Sequence, residues 1–482
     1  MGTHRLTASQ IVDRPIEEVF AFFSRPENLG RITPPAMGFE QRSADLEMRA
    51  GLEIEHRIRP LLGIPMTWRS TIESYEPPTS FVDVQASGPY RRWRHRHTFT
   101  SVAGGTRIDD EVEYELPLGP LGAIAHRLVV REQLREIFTH RARTIESIFA
   151  RPMSSDHPLT IGVAGGTGFV GGAIAVELYR RGHRVVVLSH RGEVARGPLP
   201  DAIELRHADV STGDGLPAAV EGLDGLVIAL AFPNSPIEAP RLRRTFMDVD
   251  AAGTEHLVSA AMSAGVGRLV YVSGAGASPD ARHWFRAKWR AETAVRASTI
   301  GHTIIRPTWI YGPRDVSLNR FIRFARLLQA VPMTNFGRQP LAPVFIDDVA
   351  RLAADSLIDP AAADQTFELG GPETLSMRQI IAQALRVAGI RRPIIPGPAP
   401  LIKLGAQPLR LLPAPPLTPD AVDFINQPAT VDIAPLLADM PRRLTPLDEG
   451  LASYLAPDSG PGHVEIDPPH ATALPVARPG SA

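Results

Sequence analysis

The stretch L-T-I-G-V-A-G-G-T-G-F-V-G-G, Leu159 to Gly172, runs an apolar strand into Gly165, Gly168 and Gly171, and a helical pattern follows from Phe169 to Arg181. Glycines so placed let a backbone turn sharply and lie against a pyrophosphate, and the helix behind them offers unpaired N–H groups with a partial positive charge. The chemistry is dinucleotide binding. A second strand, Arg184 to Leu188, ends in Ser189, His190 and Arg191 with no carboxylate. A carboxylate about 20 residues beyond the glycines usually holds the adenosine ribose hydroxyls. A serine hydroxyl and a guanidinium suit a 2′-phosphate instead. NADP(H) is therefore favoured, with NAD(H) as the alternative in which Arg191 is a solvated loop residue.

Two other places carry reactive side chains. Of 51 basic residues only Lys288 and Lys403 are lysine, which suggests that a compact ammonium is wanted at Lys288. Near the start of the chain His95 and His97 alternate with Trp93 and Phe99 on one strand, and His56 lies on another. Imidazoles in this pattern can ligate a metal, but no carboxylate stands beside them at ligand spacing, and no metal site is expected. The run R-R-W-R-H-R-H, Arg91 to His97, turns its arginines outward as a solvated face. With a net charge of -1 and a pI near 7.0, no basic field favours nucleic acid.

The elements that must hold these residues fall into two patterns, as a chain of 482 residues allows. Residues 1–150 begin with a strand, His4 to Val12, and a helix capped by Asp13 with Pro15 in its first turn. Alternating strands follow, with Leu52, Ile54, His56 and Ile58 on one face, Trp93 to Phe99 on another, and Val112, Tyr114 and Leu116 on a third. A long helix carries Leu134, Phe138, Ile145 and Phe149 at helical spacing, so an antiparallel sheet over one helix is predicted. Residues 151–157 read as a polar linker. Residues 158–456 alternate strand and helix, the pattern of an α/β doubly wound parallel sheet, with Pro393 to Pro419 as a lid on the substrate side. Residues 457–482 read as a disordered tail. Cysteine is absent, which excludes disulfides and thiolate chemistry and suits a reducing compartment. With neither a signal-peptide core at the start nor an apolar run of membrane-spanning length, a cytoplasmic protein is expected.

Leu6 to Phe149 resembles the START-like (SRPBCC) superfamily of polyketide cyclases and lipid carriers, through Arg25 to Pro35, Phe81 to His97 and the closing helix. The resemblance implies a helix-grip fold around an apolar ligand, and this hydrophobic small molecule is the partner expected. From Leu159 to Leu455 the chain resembles short-chain dehydrogenases of the extended, epimerase/dehydratase-like type. The motifs are H-A-D-V (His207 to Val210), A-L-A-F (Ala229 to Phe232), R-P-T-W-I-Y-G-P (Arg306 to Pro313) and V-F-I-D-D-V-A (Val344 to Ala350). Phe367 to Ile380 and Leu411 to Val422 narrow the likeness to atypical members related to the NADPH-binding accessory subunit of respiratory complex I.

That resemblance implies cofactor contacts from Gly165, Thr167, Gly168, Phe169, Val170, Gly171, Ser189, Arg191, Asp209, Val210, Leu230, Ala231, Lys288 and Pro307. Catalytic members carry Tyr-x-x-x-Lys, the lysine lowering the tyrosine pKa. Here the helix reads A-R-H-W-F-R-A-K, so Lys288 is present and Trp284 takes the place of the acid. Lys288 is then expected to hold the nicotinamide ribose. The supporting hydroxyl is Ser273, unless that position falls on Gly274 or Ala275, and His283 and Tyr311 are the substitutes for the acid. An NADP(H)-dependent oxidoreductase acting on a hydrophobic carbonyl or alcohol compound is expected. The alternative is a non-catalytic NADPH-binding carrier or redox sensor.

Overall fold

The computed structural model describes residues 3–43, 45–61, 64–117, 119, 122, 126–232, 238, 240–242, 244–327, 330–407, 422, 426–456 and 462–467. They form two compact units, one of residues 3–149 with 462–467 and one of residues 150–456. Residues 408–421, which include most of the expected lid's second half, and 468–482 lie outside the described residues.

The first unit is an antiparallel sheet gripping a long helix. Its strands are β1 (His4–Val12), β2 (Glu40–Gln41), β3 (Glu53–Leu61), β4 (Ile64–Glu76), β5 (Ser80–Ser87), β6 (Arg92–Val102) and β7 (Gly105–Glu115). They lie in the order β2-β3-β4-β5-β6-β7-β1, and the strand Gly462–Ile466 pairs with β1 at the far edge. This corrects the expectation of a disordered tail at those five residues, where alternation buries Ile466 against Leu6, Trp93 and Leu134. Helix α1 (Ile16–Phe23) is capped by Pro15 and not by Asp13, because Pro15 already holds the extended backbone that precedes a helix. Helix α2 (Arg131–Ile148) buries Leu134, Phe138 and Ile145 as its spacing predicts.

Where the resemblance implies a ligand cavity, the described side chains stack as rings. His56 lies between Phe39 and Trp68, with centroids 5.1 and 5.8 Å away. Trp68 meets Trp93 edge-on at 5.2 Å, and His126 stacks on His4 at 3.7 Å.

The second unit is a doubly wound Rossmann sheet. Strands β8 (Thr160–Ala164), β9 (Arg184–Ser189), β10 (Glu204–His207), β11 (Gly225–Ile228), β12 (Arg268–Val272) and β13 (Gly301–Pro307) run parallel with the strand Gln365–Leu369. Their order is β10-β9-β8-β11-β12-β13 and then Gln365–Leu369, so the winding reverses between β8 and β11. Near-continuous apolar strands such as Val185–Leu188 and Leu226–Ile228 are buried on both faces, as a sheet covered by helices on each side requires. Helix α3 (Phe169–Arg180) follows β8, α4 (Gly253–Ala264) precedes β12, and α5 (His283–Arg296) follows it.

Candidate functional site

Ligands of doubly wound sheets bind outside the carboxyl ends of the strands, where the winding reverses. The glycine loop after β8 lies there, and Ser189, Asp209 and Pro307 lie at or just beyond the carboxyl ends of β9, β10 and β13. Gly165 leaves β8 with φ +80°, and a Cβ on it would stand 2.5 Å from the Ala229 carbonyl oxygen, in the segment after β11. A Cβ on Gly171 would stand 2.4 Å from the Gly165 carbonyl oxygen, so helix and loop touch backbone to backbone. Gly168 caps α3 with no side chain of its own, and its N–H donates to the Gly165 carbonyl at 2.9 Å. Gly168 is exposed, and Thr167, Phe169 and Val170 are half-buried around the helix start. A bare helix N-terminus behind a loop that admits no side chain at Gly165 or Gly171 fits a dinucleotide pyrophosphate.

Ser189 ends β9 buried, its Oγ accepting from the Arg191 N–H at 3.3 Å. His190 and Arg191 are exposed beyond it. Asp209 accepts from the N–H and hydroxyl of Ser211 at 2.9 and 2.6 Å. Burial alone would raise its pKa, but those donors hold the carboxyl below its usual range. The Val210 carbonyl meets His256 Nδ1 at 2.8 Å, and the Val210 side chain lies against Gly253 of α4. Ala231 is exposed after β11, and Pro307 is buried at the end of β13, its carbonyl accepting from the Ala275 N–H at 2.8 Å.

The residues expected to do chemistry are committed to other partners. Lys288 Nζ lies 2.9 Å from Asp250 Oδ1 and donates to the Leu230 carbonyl, over the ring of Tyr271. Asp250 is buried and also accepts from the Phe232 N–H at 2.8 Å. Ser273 is buried and donates to Glu292 Oε1 at 2.6 Å. Glu292 is in turn clamped by Arg306 at 2.8 and 2.6 Å and by Arg296 at 2.9 Å. The hydroxyl expected to support catalysis is thus part of a buried charge network. Trp284 packs among Phe232, Phe246 and Ala287. Tyr311 does not substitute for the acid: it is buried, its hydroxyl faces Pro446 and Gly450, and burial raises its pKa far above the ordinary value. The His283 side chain lies outside the described residues.

Sequence reasoning missed Asp250, Glu292 and Arg314. Arg314 Nη1 donates to the Gly168 carbonyl at 3.3 Å, so a guanidinium stands at the glycine loop. Asp250 lies in the helical turn Met247–Ala252 just before α4, where the sequence signal is an acid between Val249 and Ala251, and Glu292 is one more i+4 step along the face that carries Lys288.

Residues 165–326 match the family described as NAD(P)H-binding, and residues 3–146 match the one described as polyketide cyclase / dehydrase and lipid transport. The chain joins an NAD(P)-binding domain to a polyketide cyclase-like one. It is 27% identical over 254 residues to the mitochondrial 40 kDa subunit of NADH-ubiquinone oxidoreductase of Neurospora crassa, covering 51% of this chain and 64% of that one. It therefore spans under two thirds of that relative's length. To the (4-alkanoyl-5-oxo-2,5-dihydrofuran-3-yl)methyl phosphate reductase of Streptomyces griseus it is 29% identical over 230 residues, 47% of this chain and 73% of that one. Among solved structures, the triphenylmethane reductase of Citrobacter sp. complexed with NADP(H) matches with a TM-score of 0.50 and 22% identity, over 61% of this chain and all of that one. That likeness concerns the fold. No helix among the described residues is long and apolar enough to cross a membrane.

Proposed function

We propose that this chain is an NADP(H)-dependent reductase of a hydrophobic carbonyl compound. The observation that carries the reading is the loop after β8, where Gly165 and Gly171 leave no room for a Cβ and Gly168 bares the start of α3. Gly165 to Gly171 would seat the pyrophosphate, Ser189 and Arg191 the 2′-phosphate, and Lys288 the nicotinamide ribose. Bound there, the cofactor would supply the hydride that reduces a carbonyl carbon. The proton would have to come from water or from a group other than Ser273 and Tyr311, which are engaged elsewhere, and Trp284, which carries no acid. The substrate class is supported by the Streptomyces relative, named as a reductase of an alkanoyl-bearing compound, and by the lipid-transport description of the first unit's family.

A second reading is favoured by Trp284 and Lys288 together. With an indole at the acid position and the ammonium tied to Asp250, the nucleotide is a resident ligand without turnover.

Fluorescence titration of NADPH against NADH is the first test. NADPH is expected to bind at least about tenfold tighter, a difference of roughly 1.4 kcal/mol, and Arg191→Glu to abolish the preference. Equal affinities, or no binding of either, would overturn the NADP(H) assignment. NADPH oxidation with carbonyl compounds bearing long alkanoyl chains then separates the two readings: turnover establishes the reductase, and tight binding without turnover the resident ligand.

A further inference from the structure

The first unit brings together four ionisable side chains that no local pattern joins. In the register of the sheet, Asp83 of β5 stands opposite His95 of β6, and Asp110 of β7 stands opposite His97 of β6. His95 and His97 are two residues apart, so both imidazoles lie on one face, with ring centroids 3.8 Å apart. Each ring has a carboxylate oxygen on both of its nitrogens. Asp83 Oδ1 lies 3.7 Å from His95 Nδ1 and 3.3 Å from His97 Nε2. Asp110 Oδ1 lies 3.0 Å from His95 Nε2 and 2.7 Å from His97 Nδ1.

Proton bookkeeping shows what this arrangement lacks. A neutral imidazole carries one N–H, so two neutral rings supply two donors for four nitrogen-to-carboxylate contacts. Arg141 Nη2, 3.2 Å from His97 Nδ1, can donate to one of the two ring lone pairs, and the other faces a carboxylate oxygen inside the protein, which is costly where water is excluded. Charge points the same way. Arg141 Nη2 lies 3.5 Å from Asp110 Oδ1 and 3.2 Å from His97 Nδ1, and its single positive charge faces two carboxylates. A cation on the Asp83 side resolves both conflicts. It takes the lone pairs of His95 Nδ1 and His97 Nε2, so that the opposite N–H of each ring donates to Asp110 and the Arg141 guanidinium pairs with that carboxylate rather than with His97 Nδ1.

We propose that Asp83, His95 and His97 bind a divalent transition-metal ion, with Asp110 orienting both imidazoles from behind. The three donor atoms lie within 4.8 Å of one another, and the edges to Asp83 approach the roughly 3.4 Å between ligands of a tetrahedral ion with bonds of about 2.1 Å. Two imidazoles and one carboxylate select zinc, iron or cobalt over calcium and magnesium, which prefer oxygen. A carboxylate on the non-ligating nitrogen of a metal-bound histidine is the usual outer partner, and Asp110 serves two at once. Asp83, with 19% of its side chain open, is the most accessible member and gives the ion its way in.

The test uses the full chain, stripped with a chelator, loaded with Co2+ and desalted. One equivalent of Co2+ per chain, with visible ligand-field bands that Zn2+ displaces, is the expected result. Asp83→Asn and His97→Gln should weaken binding more than about tenfold, and Asp110→Asn by about 10- to 100-fold. His126→Gln, a buried histidine of the same unit stacked on His4, should bind as the parent does. A parent that takes up neither Co2+ nor Zn2+ overturns the proposal, as does unchanged affinity in folded Asp83→Asn and His97→Gln proteins. None of these readouts involves NADPH, so the site stands or falls apart from the nucleotide reading.

Discussion

Lys288 is where residue-level reasoning and structure diverge most usefully. Its ammonium is nearly enclosed and paired with Asp250, whose carboxylate is buried. Removing one member of such a pair strands the other, whereas removing both is often tolerated. Lys288→Met is therefore expected to destabilise the second unit by about 3 kcal/mol, and Asp250→Asn added to it to recover most of that loss. Denaturant titration of the single and double variants checks the coupling. A Lys288→Met protein as stable as the parent would show that the ammonium is free to serve a ribose alone. The same variants separate folding from function, because a loss of NADPH affinity that persists in the stable double variant belongs to ligand contact.

At the scale of elements, the strand Gly462–Ile466 closes the open edge of β1, which would otherwise present unpaired N–H and C=O groups. Ile466 is buried against Leu6, Val112, Tyr114 and Phe138. Ile466→Ala is expected to cost the first unit about 2–4 kcal/mol, read as a lower midpoint for that unit in thermal unfolding, with the second unit unchanged. This strand was not legible in the sequence because five residues between proline- and glycine-rich stretches carry too short an alternation. The glycine loop was legible because its physics is local: turn, close approach and helix start all lie within Gly165 to Gly171. That β8 to β13 form a doubly wound parallel sheet followed from the strand–helix alternation, while their order did not. The His–Asp cluster was invisible, because Asp83 and Asp110 reach His95 and His97 through strand register, which sequence spacing does not reveal. For the same reason Ser273 read as a free hydroxyl, its partner Glu292 being a helix away.

Among the described residues, the buried apolar clusters of the first unit share no residue with those of the second. Two perturbations should therefore act on different unfolding transitions. NADPH at 100 times its dissociation constant is expected to stabilise the second unit by about 2.7 kcal/mol and to leave the first where it was. Acid should act on the first. His56 is buried between Phe39 and Trp68 with no hydrogen-bond partner on Nδ1, and burial lowers its pKa to about 4. Between the ordinary histidine value and about 4, the unfolded chain binds a proton that the folded unit refuses. The stability this residue allows is complete above the ordinary value and falls as pH drops toward 4, by about 1.4 kcal/mol at pH 5.5. Calorimetry at pH 7.5 and 5.5 should show the first unit's transition moving down, and His56→Phe should remove that share of the shift while leaving the NADPH effect intact. If NADPH raises both transitions together, the units unfold as one and the separation of their cores does not govern stability.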